Sequence, residues 1–214
     1  MATNRTAELQ LRGRAGTLQG RVYWPGSSLA RPARLLVFWT MAGDDTWCRE
    51  LSASAGLVVL AVTCGRPYQA DLDDAVTTAE WAAENTARLG ADPAELLVGG
   101  FGPGGAIAAA VALHAHAARW PAFSRQVLVC ASPVERMPPS LAGVAPATTV
   151  TVVHDPGGDG GRYAALLRCA GVAVDELRYP APDRASAVRI RTGRRLLTDL
   201  GVALSTHSGD YPPQ

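Results

Sequence analysis

The residues with chemical potential in this sequence converge on one stretch, Val98-Gly99-Gly100-Phe101-Gly102-Pro103-Gly104-Gly105. Leu96-Leu97-Val98 enters it as an apolar run suited to a buried strand, and an Ala-rich pattern of helical spacing leaves it. Strand, glycine-rich corner and helix are the layout in which the pattern G-x-S-x-G presents a serine nucleophile. Gly100-Phe101-Gly102-Pro103-Gly104 supplies the glycines of that pattern and puts Gly102 where the serine would stand. Glycine has no hydroxyl with which to form an acyl intermediate. Pro103 has no backbone N–H to offer an oxyanion, and losing one such donor typically lowers a rate by ~10²–10³.

Other chemistry-bearing residues lie near the ends of apolar runs. Ser132, in Cys130-Ala131-Ser132-Pro133, is a displaced nucleophile or a turn hydroxyl before proline. Asp44 and Asp45 are acid–base candidates, and capping the helix that starts at Trp47 is the competing role. Trp39, Met41, Trp47, Tyr68 and Phe101 could line an apolar pocket or plug one. His114 and His116 are two apart on a helix and point to different faces. No His, Cys, Asp and Glu spacing makes a metal cluster, and no cofactor is expected. Gly157-Gly158-Asp159-Gly160-Gly161 lacks the Lys-Ser/Thr of a phosphate loop and reads as a turn.

The elements that position these residues alternate. A hairpin is expected from Glu8–Leu11 and Leu18–Tyr23. Strands are expected at Arg34–Trp39, Leu57–Val62, Leu96–Gly99, Gln126–Ala131, Thr148–Val153 and Asp175–Tyr179. Helices are expected at Trp47–Ala55, Leu72–Leu89, Gly104–Ala118, Gly160–Ala170 and Ala185–Leu200, with Gly56 and Gly90 as stops. Such alternation builds a mostly parallel sheet covered on both faces. Its sites lie at the carboxyl ends of the strands, which brings Trp39–Asp45, Thr63–Tyr68, Phe101–Pro103, Ser132 and His154–Asp155 to one rim.

The 214 residues make one domain over 1–205 with a loose tail over 206–214. Hydrophobic content of 48% and charged content of 18% are those of a globular chain. A net charge of +1, all of whose basic residues are Arg, gives no footing for nucleic acid or an anionic membrane. The start of the chain is polar and no long unbroken apolar run occurs, so a cytoplasmic protein without signal or membrane span is expected. Four widely spaced cysteines read as free thiols.

Four stretches resemble the hormone-sensitive-lipase-like esterases of the α/β-hydrolase fold. They are Cys48–Gly56 running into Leu57–Leu60, Asp73-Asp74-Ala75 with Trp81, Leu89–Ala94, and His154-Asp155-Pro156 followed by Tyr163–Leu167 and Tyr179-Pro180. The resemblance implies a three-layer α/β sandwich around an eight-stranded, mostly parallel sheet, here without a cap domain. It puts the nucleophile position at Gly102, the acid at Asp155, the histidine position at Arg184, and the oxyanion strip on Trp39-Thr40-Met41-Ala42. Arg stays protonated and cannot act as a base. An Asp155–Arg184 ion pair or a proton-transferring Asp155 are the two roles open to that acid. The expected function is therefore a non-hydrolytic catalyst, a cyclase, lyase or epimerase, acting on a small apolar molecule. Asp155, Asp44 or Asp45 would move a proton, and Trp39, Thr40, Met41, Trp47, Tyr68, Phe101, Gly102, Pro103, Ser132 and Arg184 would surround the substrate. The alternatives are a ligand-binding or structural partner protein, such as a homodimer through an edge strand, and an esterase with a displaced nucleophile.

Overall fold

The computed structural model describes residues 5–14, 16–26, 32–41, 45–65, 68–131, 141–153, 160–181 and 193–205. The strands are β1 (Thr6–Arg12), β2 (Thr17–Tyr23), β3 (Ala33–Thr40), β4 (Val58–Thr63), β5 (Ala91–Phe101), β6 (Arg125–Val129), β7 (Ala147–Val153) and β8 (Val174–Pro180). The helices are α1 (Asp45–Ala55), α2 (Tyr68–Asn85), α3 (Pro103–Ala118), α4 (Gly160–Cys169) and α5 (Arg194–Ser205).

One eight-stranded sheet runs in the order β1-β2-β4-β3-β5-β6-β7-β8. The β1–β2 and β2–β4 pairings are antiparallel and the rest are parallel. The central strands are nearly continuous apolar runs because helices cover both faces. Successive residues of β3 divide between the layers: Leu35, Val37 and Trp39 pack in the core that includes α2, α3 and α4, and Leu36 and Phe38 in the core that includes α1 and α5. Among the described residues no cap domain stands over the carboxyl ends of the strands, and no helix is long and apolar enough to cross a membrane.

Several boundaries differ from expectation. Helix α2 opens at Tyr68 rather than Leu72, because Asp71 in its first turn accepts the Gly65 amide at 2.8 Å and turns the expected loop into a helix entry. Helix α1 opens at Asp45, which uses its carboxylate on side-chain partners. The last helix is described from Arg194 to Ser205, past the expected end at Leu200. Its expected start at Ala185 lies outside the described residues, as does the tail.

Buried Asp74 of α2 fixes the far end of the first hairpin. Its Oδ1 accepts the Arg14 amide at 2.5 Å, and the Gly13 amide closes the turn onto the Gly16 carbonyl at 2.7 Å. Ser52 of α1 donates to the Leu57 carbonyl at 2.7 Å, seating α1 against the strand that follows it.

Candidate active site

The corner after β5 is built on glycine for reasons that differ position by position. A Cβ on Gly100 would lie 2.2 Å from the Gly104 backbone, and one on Gly104 would lie 2.0 Å from the Trp39 carbonyl oxygen. A Cβ on Gly105 would meet Ala131 at 2.6 Å. These glycines let α3 sit directly on β3 and the end of β6. Gly102 is different: it holds φ 56° and ψ −120°, and among the described residues a Cβ there would have nothing within 4 Å. The bend is one that side chains adopt only under strain, yet no described residue crowds it. Pro103 starts α3, where its missing N–H breaks no helical bond. The Gly102 amide donates to the Val129 carbonyl at 2.9 Å, and its carbonyl accepts the Gly105 amide at 3.0 Å.

Phe101, the residue before the bend, meets Trp47 of α1 edge-on with ring centroids 5.8 Å apart, and Trp47 stacks on Phe38 at 5.1 Å. Such pairs add ~0.5–1.5 kcal/mol each beyond area burial. The Trp47 indole nitrogen is shielded from solvent and has no hydrogen-bond partner among the described residues. Cys130, directly after β6, holds a positive φ of 46° and is half-buried beside the same aromatic layer.

The other residues expected at the rim are distributed more widely. Trp39 is 2% exposed and belongs to the core on the α3 side. Tyr68 packs partly buried on that same core, across the sheet from Trp47 and Phe101. Thr40 is buried, whereas Met41 is 45% exposed, and both line a cavity of about 360 Å³ shared with Tyr23, Arg21, Asp45, Cys48 and Thr63. Asp44, Ser132, Asp155 and Arg184 lie outside the described residues.

Asp45 is held in place by three partners. Its carboxylate accepts Tyr23 Oη at 2.8 Å, Arg21 Nη1 at 2.5 Å and Arg49 Nη2 at 3.1 Å. Hydrogen bonds from Arg21 and Tyr23, chiefly, pull its pKa down to about 2. Burial and the bond to Asp45 push the Tyr23 phenol up. Arg21 also reaches Glu8, its cross-strand neighbour on β1, at 2.5 Å. A carboxylate so stabilised in its ionised form is a poor proton acceptor at neutral pH. Its role in this geometry is to anchor the start of α1 to β2. Sequence reasoning missed Arg21 and Tyr23; the signal was there, since they are two apart on a strand and share a face.

Comparison with known proteins bears on what this rim does. Residues 36–137 match a family model described as alpha/beta hydrolase fold. Esterase LipI of Mycobacterium tuberculosis is 30% identical over 192 residues, covering 83% of this chain and 58% of its own length. Carboxylesterase NlhH of the same species is 27% identical, over 75% of this chain and 68% of its own. Among solved structures, a Pyrobaculum calidifontis esterase superposes with a TM-score of 0.80 at 23% identity, over 94% of this chain and 85% of its own. Esterase LipW of Mycobacterium marinum does so at 0.78 and 23%, over 96% and 82%. The chain thus spans 58% of the length of LipI.

These relatives correct the activity expected from the sequence. They are named esterases, and the cyclase, lyase or epimerase expectation, with its label of a pseudo-hydrolase, gives way to an ester-directed one. That expectation rested on Gly102, Pro103, Arg184 and the strip Trp39–Ala42 taken together as lost hydrolytic machinery, and the named esterase relatives overturn it. Fold, matched segment and relatives together make this an α/β-hydrolase-fold protein similar to hormone-sensitive-lipase-like esterases.

Proposed function

We infer that the protein is a carboxylic-ester hydrolase whose attacking atom is not carried at position 102. The observation that carries this reading is the similarity to proteins named esterase and carboxylesterase over most of the chain. The strand–bend–helix corner supports it, because it retains the backbone path that presents a reacting group at the end of β5. The resemblance puts Gly102 at the nucleophile position and Arg184 at the histidine position, so on this reading attack comes from elsewhere at the rim. The chain that continues from β6 carries a candidate hydroxyl, Ser132. The Gly102 amide is bonded to Val129, the last residue of that strand, and Ser132 follows three residues later.

The test is release of p-nitrophenol from short-chain p-nitrophenyl esters by the full chain, with heat-denatured protein as the blank. Turnover above that blank, inhibited competitively by a trifluoromethyl ketone, is the expected result. No turnover of any chain length, with no binding of the ketone, would sink the reading.

A further inference from the structure

We propose that the chain forms a homodimer in which the outer edge of β1 pairs antiparallel with β1 of a second copy, centred on Gln10, so that one sheet runs through both copies. β1 and β8 are the outer strands of the sheet. The ladder with β2 fixes which backbone groups β1 has left over. The Trp24 amide donates to the Arg5 carbonyl at 2.9 Å, and the Gly13 amide to the Gly16 carbonyl at 2.7 Å. Both bonds lie in the register that sets Glu8 opposite Arg21. Hydrogen-bonded pairs alternate along an antiparallel ladder, so the odd-numbered residues of β1 turn their backbone groups to β2. Thr6, Glu8, Gln10 and Arg12 turn theirs to the outer edge, and all four residues are exposed. The strand contains no proline, and its register with β2 runs unbroken from Thr6 to Arg12. Proline and bulges are two of the devices that close a sheet edge to further strands.

The order of side chains says which strand fits. When β1 lies antiparallel on its own copy with Gln10 facing Gln10, Glu8 stands opposite the partner's Arg12, and Arg12 opposite the partner's Glu8. Opposite charges directly across a ladder stabilise it and like charges oppose it. Sliding the strands until Glu8 faces Glu8, or Arg12 faces Arg12, sets like charges together, so charge selects the register. In the selected register Leu9 faces the partner's Leu11, in the non-hydrogen-bonded pairs where side chains approach most closely. Glu8 shares a sheet face with Arg21, and Leu9 and Leu11 belong to the core on the opposite face. A two-fold axis perpendicular to the sheet keeps each face aligned with its own kind.

The other outer strand is already engaged. On β8, Glu176 holds Arg168 at 3.0 Å and Arg178 at 2.7 Å, and Tyr179 donates to Asp199 at 2.7 Å. On β1, Arg12 joins no ion pair among the described residues, and Glu8 spends one carboxylate oxygen on Arg21 while its side chain stays 75% exposed.

The experiment is sedimentation velocity on the full chain over a concentration series. The expected species grows with concentration to twice the 22.4 kDa of one chain. Gln10→Pro removes an outward N–H at the centre of the pairing and leaves the ladder to β2 whole, so it should weaken the dimer by about tenfold or more. Glu8→Arg and Arg12→Glu should each weaken it by about tenfold alone. Mixing those two variants should restore the dimer, because each strand then meets opposite charge again. Circular dichroism checks that the variants fold. In case they do not, amide exchange on the unmodified chain gives a second readout: the Glu8, Gln10 and Arg12 amides should slow as the chain is concentrated, while those of Leu9 and Leu11 should not change. A chain that stays monomeric at every concentration overturns the proposal, whether the edge is then left to solvent or taken by an extended segment of another protein. A dimer unaffected by Gln10→Pro and by both charge reversals, or one lost on Arg178→Glu instead, overturns it in favour of another face. None of these outcomes bears on ester turnover, which is tested separately.

Discussion

The amide of Gly102 is bonded to the carbonyl of Val129 at 2.9 Å, so the bend after β5 is tied to the last residue of the neighbouring strand. The bend is held by backbone alone and does not depend on the side chain at 102. Gly102→Ser should therefore fold. Its cost is the positive φ of 56°, roughly 1–2 kcal/mol, with no steric clash to add among the described residues. Gly104→Ala, two residues on, should cost about 3 kcal/mol or more, because its methyl would fall 2.0 Å from the Trp39 carbonyl oxygen. Urea denaturation of the two variants checks the contrast. Equal losses would refute it.

Asp45 makes a pH-dependent contribution of definite sign. Its carboxyl sits at about 2 in the folded chain against 3.8 unfolded, so its ion pairs are fully present above pH 3.8. They are lost as the pH falls toward 2, where both states become protonated. The side chain is 38% exposed, so the contribution is screened to roughly 0.5–1 kcal/mol. Asp45→Asn should lower the melting temperature at pH 6 and converge on the parent near pH 2. A difference that persists unchanged to that pH would argue against the assignment.

The turn at Gly13–Gly16 depends on one buried acid far along the chain. Asp74→Ala leaves the Arg14 amide without its acceptor and empties a buried polar position. The expected loss is roughly 2–3 kcal/mol, accompanied by faster amide exchange at residues 13–16. Protection that stays unaltered in this turn would show that the hairpin closes without α2.

Trp47 contributes through its ring and not through its nitrogen. Trp47→Phe keeps a stack on Phe38 and removes a buried N–H that has no partner among the described residues. Its stability should stay within about 1 kcal/mol of the parent. Trp47→Ala should cost about 3 kcal/mol by opening the layer between α1 and the bend. Calorimetry on both variants decides. If Phe costs as much as Ala, the indole nitrogen is bonded after all.

The parts of this structure written in local pattern were legible in the sequence. The strand into Gly99, the helix expected from Gly104 (which opens one residue earlier, at Pro103) and the alternation of layers follow from apolar runs and glycine punctuation. The rim was harder, because it is made by contacts between distant residues. Asp45 looked like a cap or a proton carrier until Arg21 and Tyr23, 24 and 22 positions away, were seen to bind it. Tyr68 and Trp39 have the right composition for a pocket, but helix phase and strand parity turn both into the core on the α3 side. Gly100, Gly102, Gly104 and Gly105 look identical as letters. Only the packing around each tells Gly102 from the others.

That unequal packing has an evolutionary reading. Where α3 rests on bare backbone, drift away from glycine is barred by collision, and those positions are locked by the fold itself. Position 102 carries only a torsional penalty, and some glycine codons lie a single base from serine. Among the glycines of this bend, and against the described residues, it is the one where new chemistry could be acquired, or given up, without rebuilding the scaffold beneath it.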